Sequence, residues 1–236
     1  MIKFEKMNKQ EIFLFIMLAI CSGMMIGIGA TAFLLAIGLL GVWGRLIGSV
    51  LFSLGMFKII TYELRLYTGM VADLPEIGLK NSWRLVLCFL GNTIGILFIG
   101  VLVKCTPISE HVFREGANIA LAKLEYSNWG LSALCSSLLC GALITPAVWA
   151  SRHAPKKSLS STLGVIFPII VFVFCGFDHS VANLLYFFTL GEFSWRVIGY
   201  VLICCVGNML GGIILPLVAL YREHHVGKDV DMNKML

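Results

Sequence analysis

Along most of this chain the alternation of polar and apolar positions that marks a half-buried helix or strand is missing, and unbroken apolar stretches replace it. Stretches without a formal charge cover 12–43, 85–103, 126–151, 158–177 and 197–221. Each suffices to cross a hydrocarbon core that needs about 20 helical residues. Residues 46–79 are apolar as well, but Lys58, Glu63, Arg65 and Asp73 interrupt them, so this region reads as one broken crossing. The pattern predicts an all-α integral membrane protein with six transmembrane helices and a single membrane domain over 1–236. The helices are placed at about 12–40, 46–79 (interrupted near 63–69), 83–105, 128–151, 158–191 (interrupted near 176–180) and 196–222, with a cytoplasmic tail at 223–236. Residues 107–125 form the longest polar stretch and predict a short helix plus loop on the outer face. The first apolar run is too long for the core of a signal peptide, which spans about 7 to 15 residues, and is expected to stay as the first helix.

Composition agrees with that reading: 58% of residues are hydrophobic and only 13% charged, too few charges to wet the surface of a soluble domain. Lys and Arg alternate between loops. Lys3, Lys6, Lys9, Lys80, Arg84, Arg152, Lys156, Lys157, Arg222, Lys228 and Lys234 share one side, and Arg45, Lys104, Arg114, Lys123 and Arg196 the other. The positive-inside rule then puts both termini in the cytoplasm, in a multi-pass protein of the cell membrane. The net charge of +5 resides in these flanks, so no nucleic acid partner is expected.

The two halves echo one another, with Val71-Ala72-Asp73-Leu74 against Val181-Ala182-Asn183-Leu184 and Gly91-Asn92 against Gly207-Asn208. Three crossings per half force the second half to enter from the opposite side, giving two inverted three-helix repeats in an aquaporin-like architecture. The breaks in helices two and five, near 63–69 and 176–180, occupy equivalent places. Unwound backbone at membrane depth is tolerated only inside protein or along a cavity. Two half-helices starting after Gly69 and Ser180 would aim their amino ends and free amides at the middle, making an electropositive centre without a buried cation.

His179 is the histidine of five that falls within a crossing. A core histidine satisfied by a carbonyl is one reading; its place at a break beside Asp178 and Ser180 favours a functional one. Histidine titrates near neutrality and can share a proton with a weak acid in transit. Thr68 occupies the other break, as a cap or as a hydrogen-bond donor to a passing anion. The eight cysteines contain no C-x-x-C pair and read as apolar packers, not as a metal or redox site. One intramembrane histidine does not supply the two axial ligands of a bis-histidine haem, and H-E-x-x-H and G-x-S-x-G are absent. No enzyme activity, metal or cofactor is expected.

The string Gly176-Phe177-Asp178-His179-Ser180-Val181-Ala182-Asn183 resembles the Gly-Phe-Glu-His-Ser-Ile/Val-Ala-Asn signature of the formate/nitrite transporter family, and Leu66-Tyr67-Thr68-Gly69 resembles its Leu-Phe-Thr-Gly/Ser loop. The resemblance runs from Ser22 to the Gly-Asn of helix six and includes Ala147-Val148-Trp149 and Pro168. It implies a homopentamer with a pore in every subunit, passing a small monovalent anion such as formate, nitrite, hydrosulfide or lactate, or its conjugate acid. By motif position it implies His179 as the central histidine, Thr68 as the loop threonine and Asn183 as the motif asparagine. Constrictions fall at Phe52, Leu66, Tyr67 and Phe172, and Lys123 takes the lysine before helix four. Gly141 occupies the helix-four position where a pore asparagine is common. Arg65 replaces an acidic residue of the family pattern, and Lys58 and Glu63 replace apolar or small ones; all three are expected to be shielded from lipid.

The leading expectation is therefore a channel or proton-linked transporter for a small weak-acid anion. An aquaporin-like neutral-solute channel shares the six helices and inverted repeats but lacks the Asn-Pro-Ala pairs. A membrane-anchored redox subunit is the remaining alternative.

Overall fold

The computed structural model describes residues 7–78, 82–153 and 159–225, with backbone alone at 76–77, 149–150, 152–153, 159–161 and 223–225. Several of the expected cytoplasmic charges (Lys3, Lys6, Lys80, Lys156, Lys157, Lys228 and Lys234) and the tail from 226 lie outside the described residues. Helices account for nearly all of the rest: α1 (Lys9–Leu40), α2 (Gly44–Thr61), α3 (Tyr67–Met70), α4 (Leu74–Ile77), α5 (Trp83–Lys104), α6 (Ser109–Glu125), α7 (Trp129–His153), α8 (Leu159–Cys175), α9 (Ser180–Leu190) and α10 (Trp195–His225). Asn8 and Glu11 form a reciprocal capping box that starts α1.

The continuous apolar stretch Lys9–Thr61 is 53 residues long, yet it is two crossings. A 3₁₀ turn at Gly41–Trp43 reverses the chain, with Gly41 at φ 55°, a conformation that favours glycine. Gly44 then packs on the backbone of Ala36, Gly48 on Phe33 and Gly55 on Met25, a descending register that makes α1 and α2 antiparallel. Trp83–Lys104, Trp129–Val148, Thr162–Leu190 and Trp195–Arg222 are also long and apolar enough to span a membrane. The polar stretch at 107–125 contains a fuller helix than its sequence suggested, the 17-residue α6.

Small residues let the parallel helices of each half touch backbone to backbone. A Cβ added at Gly23 in α1 would strike the carbonyl of Asn92 in α5, and one at Gly141 in α7 would strike the carbonyl of Asn208 in α10. The two contacts are counterparts, so α1 with α5 in the first half matches α7 with α10 in the second. Both expected interruptions are present: the helix stops between Thr61 and Tyr67, and again between Cys175 and Ser180. Each is followed by eleven helical residues, as three short segments over 67–77 and as the single α9.

The structure adds local detail at the first break and at the cysteines. The first half-helix begins at Tyr67, ahead of Gly69. Lys58 and Glu63 are exposed on the single chain and Arg65 is half-buried, in the last turn of α2 and the turn that follows it, with Glu63 at φ 52°. Cys105, Cys135 and Cys175 are exposed and not buried packers, Cys105 in the turn after α5 and the other two on outward helix faces.

Candidate functional site

Two asparagines hold the breaks in shape. Asn92 accepts the Tyr67 amide at 2.9 Å and donates to the carbonyls of Ala19 and Arg65 at 2.8 and 2.9 Å. Asn208 accepts the Ser180 amide at 2.9 Å and donates to the carbonyls of Ser137 and Asp178 at 2.8 and 2.9 Å. Each amide therefore satisfies two backbone groups that unwinding has freed and ties them to a carbonyl of a neighbouring helix, with its own donors and acceptor fully used. Matching bonds pair Tyr67 with Ser180 and Arg65 with Asp178 across the repeats, so Leu66 is the counterpart of His179. The Val-Ala echo of the sequence is thus about one helical turn out of structural register. Amides expected to be free at the half-helix starts are partly taken up by these side chains.

His179 caps α9, its Nδ1 accepting the Ala182 amide at 3.2 Å. An accepting Nδ1 puts the proton of the neutral ring on Nε2. Nε2 lies 3.1 Å from Thr68 Oγ1, so the ring N–H donates to the hydroxyl. Thr68 is in turn fixed through its carbonyl, which accepts from Thr145 Oγ1 at 2.8 Å. Both residues are almost fully buried, and their bond joins the two breaks at the centre of the molecule.

A cavity of about 300 Å³ opens on one side of His179. Phe52 and Phe172 line it, edge to face with ring centroids 5.8 Å apart, and Phe172 lies over the His179 ring at 5.8 Å. Further out, Lys123 on α6 forms an ion pair with Asp178. The same carboxylate accepts from Asn183 Nδ2 at 2.8 Å and Tyr200 Oη at 3.0 Å, and the Asp178 amide donates to Ser136 Oγ at 3.0 Å. A buried carboxylate with one cation and two further donors is well compensated.

The structure brings His179, Thr68, Asn183, Lys123, Phe52 and Phe172 together. Leu66 is buried at the first break, and Tyr67 is turned away, its hydroxyl donating to the Cys205 carbonyl at 3.0 Å and its ring against Phe89. Neither lines the cavity. Gly141 lies in the α7–α10 contact against Asn208 and also does not line it, because the close backbone approach leaves no room for a side chain facing a pore. Sequence reasoning missed Tyr200, Ser136, Tyr186 and Arg45, which do line it. For Ser136 a signal existed: Ser132, Ser136 and Cys140 recur every fourth residue, one polar face in an apolar helix.

Against known proteins, the family model described as formate/nitrite transporter matches residues 3–222. The transporter YrhG of Bacillus subtilis is 30% identical over 213 residues, 82% of this chain and 77% of its own length. The formate channel FocA of Haemophilus influenzae is 28% identical over 155 residues, 60% of this chain and 53% of its own length. Among solved structures, a pentameric formate channel with formate bound superposes with a TM-score of 0.78 at 21% identity, covering 92% of this chain and 99% of that one. An FNT family ion channel does so at 0.74 and 21% identity, covering 89% of each.

Proposed function

This chain belongs to the formate/nitrite transporter family, a multi-pass membrane transporter and not an enzyme, and we propose that it passes a small monovalent weak-acid anion or its conjugate acid across the cell membrane. The observation that carries this reading is the His179–Thr68 bond at 3.1 Å, which sets a titratable ring between the two helix breaks and beside the Phe52–Phe172 ring pair. The formate named for the FocA channel and for the solved neighbour makes formate the first candidate, with nitrite and hydrosulfide next.

In this proposal the anion enters the cavity past Lys123, whose charge is largely answered by Asp178. Phe52 and Phe172 strip its hydration, which disfavours a bare charge. The permeant receives or returns a proton on the Nε2 side of His179, where Thr68 relays it, since Nδ1 is held by the Ala182 amide. Crossing the narrow region as the neutral acid avoids an unpaired charge in an apolar slit. The subunit is proposed to act within a homopentamer, with both termini cytoplasmic and no cofactor.

Proteoliposomes offered formate, nitrite, hydrosulfide and lactate side by side test the reading. Saturable flux of at least one of these above empty vesicles is the expected result. Water permeability without flux of any anion would favour a neutral-solute channel instead.

A further inference from the structure

Arg45 lies in the first turn of α2 and lines the cavity together with Lys123 and Asp178. It stands about 10 Å further out than Phe52, at about 1.5 Å of rise per residue. Its guanidinium reaches across to the second break: a Cβ added at Gly176 would lie 2.5 Å from Arg45 Nη2. Gly176 has φ 75°, a backbone conformation that favours glycine, and the fork rests over the loop that leads into Asp178 and His179.

The charge balance separates the two cations. Lys123 is engaged by Asp178, whereas among the described residues Arg45 has no carboxylate partner, and its side chain is exposed to the cavity mouth. The cavity therefore holds one net positive charge, and that charge belongs to Arg45. A guanidinium is planar and presents paired N–H groups that match two oxygens of one anion, which an ammonium cannot do.

We propose that Arg45 is an anion-capturing and selecting residue at the cavity mouth, favouring planar monovalent anions with two oxygens on one atom, of the carboxylate or nitrite kind, over single-atom or linear anions. This rests on the transport reading above and narrows its substrate class. Capture at the mouth acts on occupancy at low anion concentration and leaves the step at His179 unaltered. As an exposed charge it is screened by salt.

The experiment compares wild-type, Arg45→Gln and Arg45→Lys protein in vesicles, each checked for assembly by native mass, with initial flux measured against concentration for formate and for azide. Azide is a linear monovalent anion of a weak acid that offers one terminal atom at a time. In Arg45→Gln the half-saturating formate concentration should rise roughly twofold to fivefold, as for loss of one exposed, salt-screened ion contact, with the maximal rate little changed. Arg45→Lys should restore salt-sensitive capture without restoring the preference for formate over azide. Formate half-saturation unchanged in Arg45→Gln, or an Arg45→Lys preference equal to wild type, overturns this inference alone. Wild-type vesicles that pass neither anion overturn it together with the transport reading.

Discussion

His179 has one ring nitrogen committed to the α9 cap and the other directed at Thr68, so its two roles separate in a substitution. Asparagine in its place can keep a capping bond to the Ala182 amide but has no proton to exchange near neutrality. His179→Asn protein is expected to assemble, with a flux-versus-pH curve between pH 5 and 8 that follows only the proton equilibrium of the permeant. A curve indistinguishable from wild type would falsify proton sharing. The Lys123–Asp178 pair behaves differently, because both side chains are largely covered, at 14% and 4% exposure. Replacing Lys123 with Met strands a buried carboxylate and should cost about 3 kcal/mol, read as a lower Tm of the assembled protein. Adding Asp178→Asn removes the stranded charge and should recover part of that Tm. If the double variant is no more stable than the single one, charge compensation is not what the pair supplies.

At the scale of elements, the breaks are defined as much by the helices behind them as by their own residues. Asn92 and Asn208 each serve three backbone groups, and unpaired buried groups cost about 1–3 kcal/mol apiece. Asn208→Ala should therefore lower Tm more than a surface change on α10 such as Leu210→Ala, and Asn208→Asp should not rescue it, because a carboxylate loses both donations. Equal Tm for the two alanine variants would mean that the break shapes itself. This dependence explains what the sequence could and could not disclose. Charges and a Gly-Phe-Asp-His-Ser string inside apolar runs made both interruptions and His179 legible, since each violates hydropathy locally. Register was not: Val-Ala strings are common in apolar helices, and the true equivalence is written in bonds from Asn92 and Asn208, over twenty residues away. Arg45 was legible only as a loop charge, because its place over Gly176 depends on how α2 packs against the second break. The contact of Gly141 with Asn208 was illegible for a related reason, since a motif position does not show that two backbones meet there.

For the molecule as a whole, the surface is mostly apolar stripes, such as Val86, Leu90, Ile94 and Phe98 on α5 and Leu202, Val206, Leu210 and Ile214 on α10. Lipid tails and the apolar face of a second copy cover such stripes equally well, so the chain's own surface does not specify a number of copies. The His179–Thr68 bond, in contrast, joins the two breaks of one and the same chain, and the cavity opens beside it. If the subunits assemble as the proposed pentamer, native mass should give about five times 26.0 kDa. Conduction should nevertheless belong to each subunit separately. Pentamers assembled from wild-type and His179→Asn subunits in varied ratio test this directly. With one pore per subunit, formate flux at a fixed pH changes linearly with the fraction of variant, because each variant subunit alters its own pore and no other. A shared central path, or a gate that requires all copies, would instead give a steep fall with the first variant subunit. Linear mixing together with a pentameric mass would place the transported anion inside the subunit, between the Asn92 and Asn208 braces, and leave the central axis to packing alone.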